Sequence, residues 1–314
     1  MPVMKHGHKI FGGKYLRNIL YNPDIGELFK ELKYKDSIYI VSGYGNISFQ
    51  MIMYYLNISK RLWIFQGEKP RLTLNASKKL LMRPLKGAKG ILGIGSFATR
   101  IYEEILNKPV YNLSYFIDLE RFFDIPLKQR NYGKKSLKFL YCGSLIEGKG
   151  VDLLVRAFVI LRERYQDIEL HLIGSGALNQ QLISIIPDAF RPDVFFHGFI
   201  KWDELHKYYS LGDVFVFPTR YDRWGVAINE ALASGLPVIT TYNAGAAYDL
   251  VLDNYNGFLC PVNSVNSLIE KMEFFIKNKD AICKMGLHAR ETMKNWTLQK
   301  GMERLESIVT DIVP

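Results

Sequence analysis

The segment DVFVFPTRYDRWGVAINEALASGLPVITTYNAG, residues 213–245, sets the fold class of this 314-residue chain. It opens on an apolar run, Val214-Phe215-Val216-Phe217, which Pro218 ends. A run that short, rich in aromatic and β-branched residues and closed by a breaker, reads as a buried strand of a parallel sheet. A polar loop, Thr219 to Arg223, leads to Gly225 and then to Val226–Ala233, which has helical composition and stops before Gly235. A second apolar run, Pro237 to Thr241, follows. The unit is strand, loop, helix, strand. In a doubly wound sheet ligands dock at the loop that leaves a strand's carboxyl end. The N–H groups and positive dipole end of the following helix favour phosphate there.

Two carboxylates lie in this unit, Asp222 in the loop and Glu230 about two turns into the helix. That spacing lets both address one ligand, one near its anionic end and one farther out. On spacing alone the plainer reading is favoured: Asp222 caps the helix and Glu230 is solvated. The neighbouring segments reverse that preference.

Downstream of a strand at Leu137–Cys142 comes a loop from Gly143 to Gly150 with three glycines, Gly148 among them, and Lys149 stands just before the helix Val151 to Tyr165. A lysine at a glycine-rich loop before a helix can hold a diphosphate that departs with added negative charge. Ile173-Gly174-Ser175-Gly176 ends another strand and reads first as a turn, second as a nucleotide contact. His197 reads as structural. In the first half, strands at Ser37–Val41, Arg61–Phe65, Lys89–Ile94 and Val110–Tyr115 alternate with helical segments, which argues for a parallel α/β sheet. A short helix is expected from Ile25 to Leu32. Residues 70–86 interleave leucines with basic residues on a helix that Pro84 ends near residue 83. Such a helix can lie on anionic lipid, or Leu74, Leu81 and Leu85 can pack on the sheet; packing is favoured for this helix alone.

Length points to two domains at about 100–200 residues each: residues 1–134, then 135–296 after a polar linker, Gln129 to Ser136, with a helix over 297–314 returning to the first domain. Three scattered cysteines, Cys142, Cys260 and Cys283, form no C-x-x-C, which favours a reducing compartment and no structural zinc. His6 and His8 read as a mobile tail. No apolar stretch reaches the ~18–20 residues that span a bilayer, and the N-terminus lacks a signal-peptide core. A cytoplasmic protein is expected, peripheral on the inner face of the membrane. Charge is one-sided: residues 1–134 carry 22 Lys/Arg against 10 Asp/Glu, the rest 19 against 21. That asymmetry points the first half at an anionic partner, a membrane surface or acidic glycan ahead of nucleic acid. No Ser-His-Asp, zincin or Walker A pattern occurs.

Residues 213–239 resemble the signature of family 4 glycosyltransferases, the "group 1" type: retaining enzymes of the GT-B fold, two Rossmann-like domains facing a cleft. YCGSLIEGKGVDLLVRAF (141–158), LHLIGSGAL (170–178), VFFHGFIKWDELHKYYSLGD (194–213) and YNGFLCPVNSVNSLIEKM (255–272) match the family's other units in order. The likeness covers roughly residues 136–296 and is thin before 135, where the first domain is shorter than usual. FGGK, with Gly12 and Gly13, resembles the glycine-rich loop near the start of family members, although no convincing strand precedes it. FIDLERF (116–122) resembles the segment before the interdomain linker.

The resemblance implies a nucleotide-diphosphate sugar, UDP- or GDP-linked, as co-substrate, no cofactor or metal, and a glycan or lipid-linked acceptor. Glu230 would hold the ribose hydroxyls, Asp222 would sit by the donor sugar and Lys149 would steady the diphosphate. Gly143, Ser144, Gly148, Gly174 and Gly176 would line the nucleotide, Phe199 and Ile200 the base, and Arg223, Trp224, Gly225 and Val226 the sugar and phosphate. Related enzymes usually carry an arginine where this chain has Ser144, so Arg220 or Arg223 would have to supply that cation. A nucleotide-sugar epimerase on the same fold, and a catalytically weakened polyanion-binding protein, remain as alternatives.

Overall fold

The computed structural model describes residues 8–9, 15–19, 32, 37–43, 45, 47–68, 80–127 and 136–312. The expectations for Gly12, Gly13, the helix from Ile25, Leu74 and residues 129–135 lie outside the described residues. The chain forms two compact units, residues 1–115 with 301–314, and residues 116–300. Residues 116–127 thus belong to the second unit, whereas the sequence reading set the division at the polar tract. The side chain of Phe122 explains the difference, since it is buried edge-on against Tyr209 with centroids 5.4 Å apart.

The first unit is a six-stranded sheet in the order β1 (His8–Lys9), β2 (Tyr15–Ile19), β3 (Ser37–Ser42), β4 (Trp63–Gly67), β5 (Ile91–Gly93), β6 (Val110–Asn112). Strand β1 pairs antiparallel with β2, and every later pairing is parallel. His8 therefore stands in a strand, and a strand does precede the Gly12-Gly13 tract: two residues were too short a run to show a period. Helix α1 (Ile47–Ile58) joins β3 to β4 and α2 (Ser96–Ile105) joins β5 to β6. Their inner faces meet the sheet in one core that includes Tyr39, Phe49, Ile52, Leu56, Trp63, Phe65, Leu85 and Tyr102. Asn57 anchors this core at a polar point, accepting from Trp63 Nε1 at 2.8 Å and donating to the Pro84 carbonyl at 2.9 Å. Pro84 sits in the first turn of a 3-10 helix, Arg83–Gly87, where a missing N–H costs nothing. Leu85 packs inward, while Leu81 faces solvent.

In the second unit α3 (Glu120–Phe123) precedes β7 (Leu137–Cys142), α4 (Val151–Arg162), β8 (Ile168–Ile173), α5 (Asn179–Ser184), β9 (Val194–Gly198), α6 (Trp202–Tyr209), β10 (Val214–Phe217), α7 (Val226–Ala233), β11 (Val238–Thr241), α8 (Ala247–Leu250) and β12 (Gly257–Cys260). Helices α9 (Val265–Lys277) and α10 (Lys279–Met293) follow, then α11 (Leu298–Ile312), whose later residues belong to the first unit. There Ile308 and Val309 are buried and Arg304 donates to the Asn112 carbonyl.

All neighbours in the second sheet are parallel, in the order β9-β8-β7-β10-β11-β12. This is the doubly wound arrangement whose chain reverses direction of winding between its first and fourth strands, here β7 and β10. Burial on both faces explains the uninterrupted apolar run of β10, whose four residues are all buried. Helix α7 ends in a Schellman motif: Leu236 N–H bonds Ala231 O and Gly235 N–H bonds Leu232 O, both at 3.0 Å.

Candidate active site

The loops after β7 and β10 leave the carboxyl ends of two neighbouring parallel strands, at the point where the winding of the sheet reverses. The loop after β7 runs through a 3-10 turn, Glu147–Lys149, to Gly150, which caps α4. Gly150 has φ +67°, and a Cβ there would lie 2.0 Å from the Pro218 carbonyl oxygen. Both the backbone region and the space demand glycine. That contact locks the loop after β7 onto the loop after β10. The Gly148 carbonyl reinforces it by accepting from Thr219 Oγ1 at 3.1 Å, Arg220 N–H at 3.0 Å and Tyr221 N–H at 3.2 Å.

This clamp brings Lys149 to Asp222, Nζ to Oδ2 at 2.5 Å, with 23% and 18% of their side chains exposed. Phe217 lies beneath the ammonium, 5.9 Å from its ring centre. The other Asp222 oxygen accepts from the Trp224 N–H at 3.2 Å. Asp222 makes no cap to α7, whose N-cap is Gly225 in the left-handed region. Trp224 is buried, its indole donates to Asn229 Oδ1 at 2.8 Å and its carbonyl accepts from the Ala246 N–H at 2.7 Å. Val226, the first residue of α7, is exposed.

Glu230 takes the opposite position. It is 5% exposed, inside the unit, and its Oε2 accepts from the Tyr209 hydroxyl at 2.8 Å. Burial pushes the Glu230 carboxyl up to about 7, and the Tyr209 hydrogen bond offsets this only in part. Burial and the nearby Glu230 charge push the Cys142 thiol up to about 12, so Cys142 is no thiolate nucleophile. Tyr209 and Cys142 were not foreseen as site residues. Nothing in the pattern around Tyr209 distinguishes it from a core tyrosine.

Ser144 is exposed, and its carbonyl accepts from Tyr141 at 2.9 Å. Arg220, one of two residues considered as its replacement, is bidentate to Asp152 at 2.7 and 2.8 Å and also bonds Glu147 O and Asn263 Oδ1. The carboxylate raises the guanidinium's pKa further and fixes it as a brace between the β7 loop, α4 and the β10 loop. Asp152, near the start of α4, is the unforeseen partner; the helix N-terminus favours a carboxylate there. Arg223 is exposed.

The expected glycines at the end of β8 pack against the loop after β7. A Cβ on Gly174 would stand 1.9 Å from Gly143 O, and one on Gly176 would stand 2.3 Å from Leu145 O. Leu145 N–H bonds Ser175 O at 3.0 Å in the same contact. Gly143 is thereby held by backbone contacts, and Ser144 by the Tyr141 hydroxyl as well. After β9, Phe199 is 76% exposed with Ile200 half-buried beside it. His197 is a packing residue: its Nε2 meets His171 Nδ1 at 3.0 Å, and burial lowers the pKa of both rings. Among the described residues no group of three or more His, Cys, Asp or Glu could hold a metal.

The chain resembles known proteins. The chain is 22% identical over 90% of its length to an uncharacterized glycosyltransferase of Haemophilus influenzae, spanning 78% of that protein. It is 27% identical over 69% of its length to the GDP-mannose-dependent alpha-(1-6)-phosphatidylinositol monomannoside mannosyltransferase of Mycobacterium tuberculosis, spanning 60% of it. Among solved structures, a variant of S. aureus TarM in complex with Fondaparinux, alpha-GlcNAc-glycerol and UDP superposes with a TM-score of 0.73 over 92% of this chain and 58% of that one, at 17% identity. Likeness at that level fixes the fold as GT-B. Residues 124–295 match the model of Glycosyl transferases group 1, and that span holds β7 to β12 and each catalytic candidate, Lys149, Asp222 and Glu230. The chain belongs to the glycosyl transferases group 1 family.

Proposed function

We propose that the chain is a retaining glycosyltransferase that moves a sugar from a nucleoside-diphosphate donor to a hydroxyl of a glycan or lipid-linked acceptor. The observation that carries this reading is the Lys149–Asp222 pair at the carboxyl ends of β7 and β10, at the sheet's reversal point. An entering diphosphate outbids one carboxylate for the Lys149 ammonium. Negative charge on the diphosphate grows as its bond to the sugar breaks, so the attraction is stronger in the transition state than in the ground state. Lys149 is the cation this mechanism needs, and no metal is required. Asp222, released from Lys149, accepts hydrogen bonds from the donor sugar. Glu230 accepts two from the ribose diol once ionised.

In the transfer, the anomeric carbon–phosphate oxygen bond breaks while the bond to the acceptor oxygen forms on the same face. The acceptor's proton passes to the leaving phosphate oxygen. The second cation that Ser144 cannot supply comes from Arg223 or Arg220 on the β10 loop, of which Arg220 would have to release Asp152. The relatives above name GDP-mannose and UDP, which supports a GDP- or UDP-sugar here.

Thermal unfolding of the chain against UDP-, GDP- and ADP-sugars tests the reading. A ligand at a hundred times its Kd adds about 2.7 kcal/mol to the folded state and raises the melting point. One base should do so. If none shifts it, the proposal fails. Nuclear magnetic resonance of the product's anomeric centre then tests retention against inversion.

A further inference from the structure

Among the described residues, the outward apolar face of α1 is left exposed. Helix α1 is apolar on both sides: Phe49, Ile52, Met53 and Leu56 are buried against the sheet. On the other side Ile47 is 77% exposed, Met51 58%, Tyr54 53% and Ile58 81%. At 100° per residue these four fall within an arc of about 60°, so they form one ridge ~18 Å long. Gln50 bonds the Leu81 carbonyl at 2.8 Å, which sets the exposed Leu80 and Leu81 beside that ridge. A helix that is apolar all round is ordinarily buried all round. A continuous exposed apolar patch rimmed by polar groups marks an interaction surface.

The rim identifies the occupant. Lys60 follows the ridge at its carboxyl end, Arg83 and Lys86 flank Pro84, whose carbonyl Asn57 of α1 holds, and Lys89 follows in the same segment; all four are exposed. Residues 37–102 contain ten Lys/Arg and a single acidic residue before the second helix, Glu68, which is engaged by the Tyr115 hydroxyl at 3.0 Å. A second copy of this chain would bring like charges face to face, which opposes self-association. Nucleic acid matches the charge but offers nothing to Ile47, Met51 and Ile58. A bilayer with anionic headgroups satisfies both halves: hydrocarbon for the ridge, headgroup charge for the rim, and the boundary between them for Tyr54 and Tyr55.

We infer that α1 and the Leu80–Lys89 segment form a docking face for an anionic lipid surface, with Ile47, Met51, Tyr54 and Ile58 entering the headgroup–acyl boundary. This inference stands apart from the donor chemistry, because none of these residues belongs to the second unit. The test is flotation of the full chain with phosphatidylcholine vesicles, with and without phosphatidylglycerol. Binding is expected only with the anionic lipid. The combined variant Ile47→Ser, Met51→Ser, Ile58→Ser should lose about tenfold in partitioning per side chain, with unchanged nucleotide binding. A second readout does not depend on that variant's folding: fluorescence of Met51→Trp should be quenched by lipids brominated along the acyl chains. Failure to float, flotation of the triple variant at wild-type levels, or an unquenched tryptophan overturns the inference. A concentration-dependent dimer that the triple variant abolishes, or nucleic-acid binding in place of flotation, overturns it equally.

Discussion

Replacing Glu230 by glutamine separates what this carboxyl does for the fold from what it does for the donor. Its pKa stands at about 7 against an ordinary 4.5, because burial disfavours the charged form. The sign follows from where each state releases its proton. Below about pH 4 both the folded and unfolded chains hold it, and the group contributes nothing to pH dependence. Between about 4.5 and 7 the unfolded chain ionises while the folded one does not, so stability falls as pH rises. Above 7 the loss is complete. At ~1.4 kcal/mol per pKa unit it amounts to about 3 kcal/mol. Glutamine keeps an acceptor for the Tyr209 hydroxyl, 2.8 Å away in the parent, and carries no charge to bury. Urea unfolding followed through Tyr and Trp fluorescence should therefore show Glu230→Gln equal to the parent at pH 4 and more stable by about 3 kcal/mol at pH 8. Donor binding should move the other way. A ribose diol binds the ionised carboxylate, so the parent must release a proton on binding below pH 7 and its affinity should fall as pH drops. The variant should bind about ten- to a hundredfold more weakly at pH 8, the worth of a hydrogen bond to a charged group, without that extra pH dependence. Parallel stability curves for the two proteins would refute the buried, raised carboxyl. Equal donor affinities would refute its contact with the ribose.

Three further outcomes follow from the same site. Lys149→Met should cut transfer by about a hundred- to a thousandfold and weaken nucleoside-diphosphate binding less, read from kcat and from calorimetry. Asp222→Asn should tighten binding of the free diphosphate, because Lys149 loses its competing carboxylate, while transfer falls; calorimetry that shows weaker binding would contradict the exchange of partners. Gly150→Ala should destabilise the second unit by more than ~2 kcal/mol, since its φ of +67° and the Pro218 carbonyl 2.0 Å away both exclude a methyl group, and the melting temperature reports it.

Local signals carried much of this reading, and long-range pairing carried the rest. Val214–Phe217 was legible because complete burial leaves no polar position to confuse the pattern, and Val226–Ala233 because its helical composition stops at the Schellman glycine, Gly235. Glu230 read on spacing alone as a solvated helix residue and was singled out by the resemblance of residues 213–239 to a family signature; its burial is a finding of the structure. What the sequence did not disclose was who meets whom. Arg220 and Arg223 looked interchangeable as cations, and only the fold of the β7 loop assigns Arg220 to Asp152. Gly174 and Gly176 read as a turn first, and only the fold shows that this turn packs against the backbone at 143–145. Tyr209 reaches Glu230 from a different helix, and no local period reports such a partnership. The face of α1 gave a helical period, but exposure of its ridge depends on what the rest of the first unit leaves uncovered.

The most direct test is a crystal structure of the chain with its nucleoside-diphosphate sugar. The account predicts the diphosphate within hydrogen-bond reach of Lys149, the ribose hydroxyls on Glu230 and the base beside Phe199, at the carboxyl ends of β7 and β10. A donor seated elsewhere, or one that leaves the Lys149–Asp222 pair intact and Glu230 untouched, would contradict it.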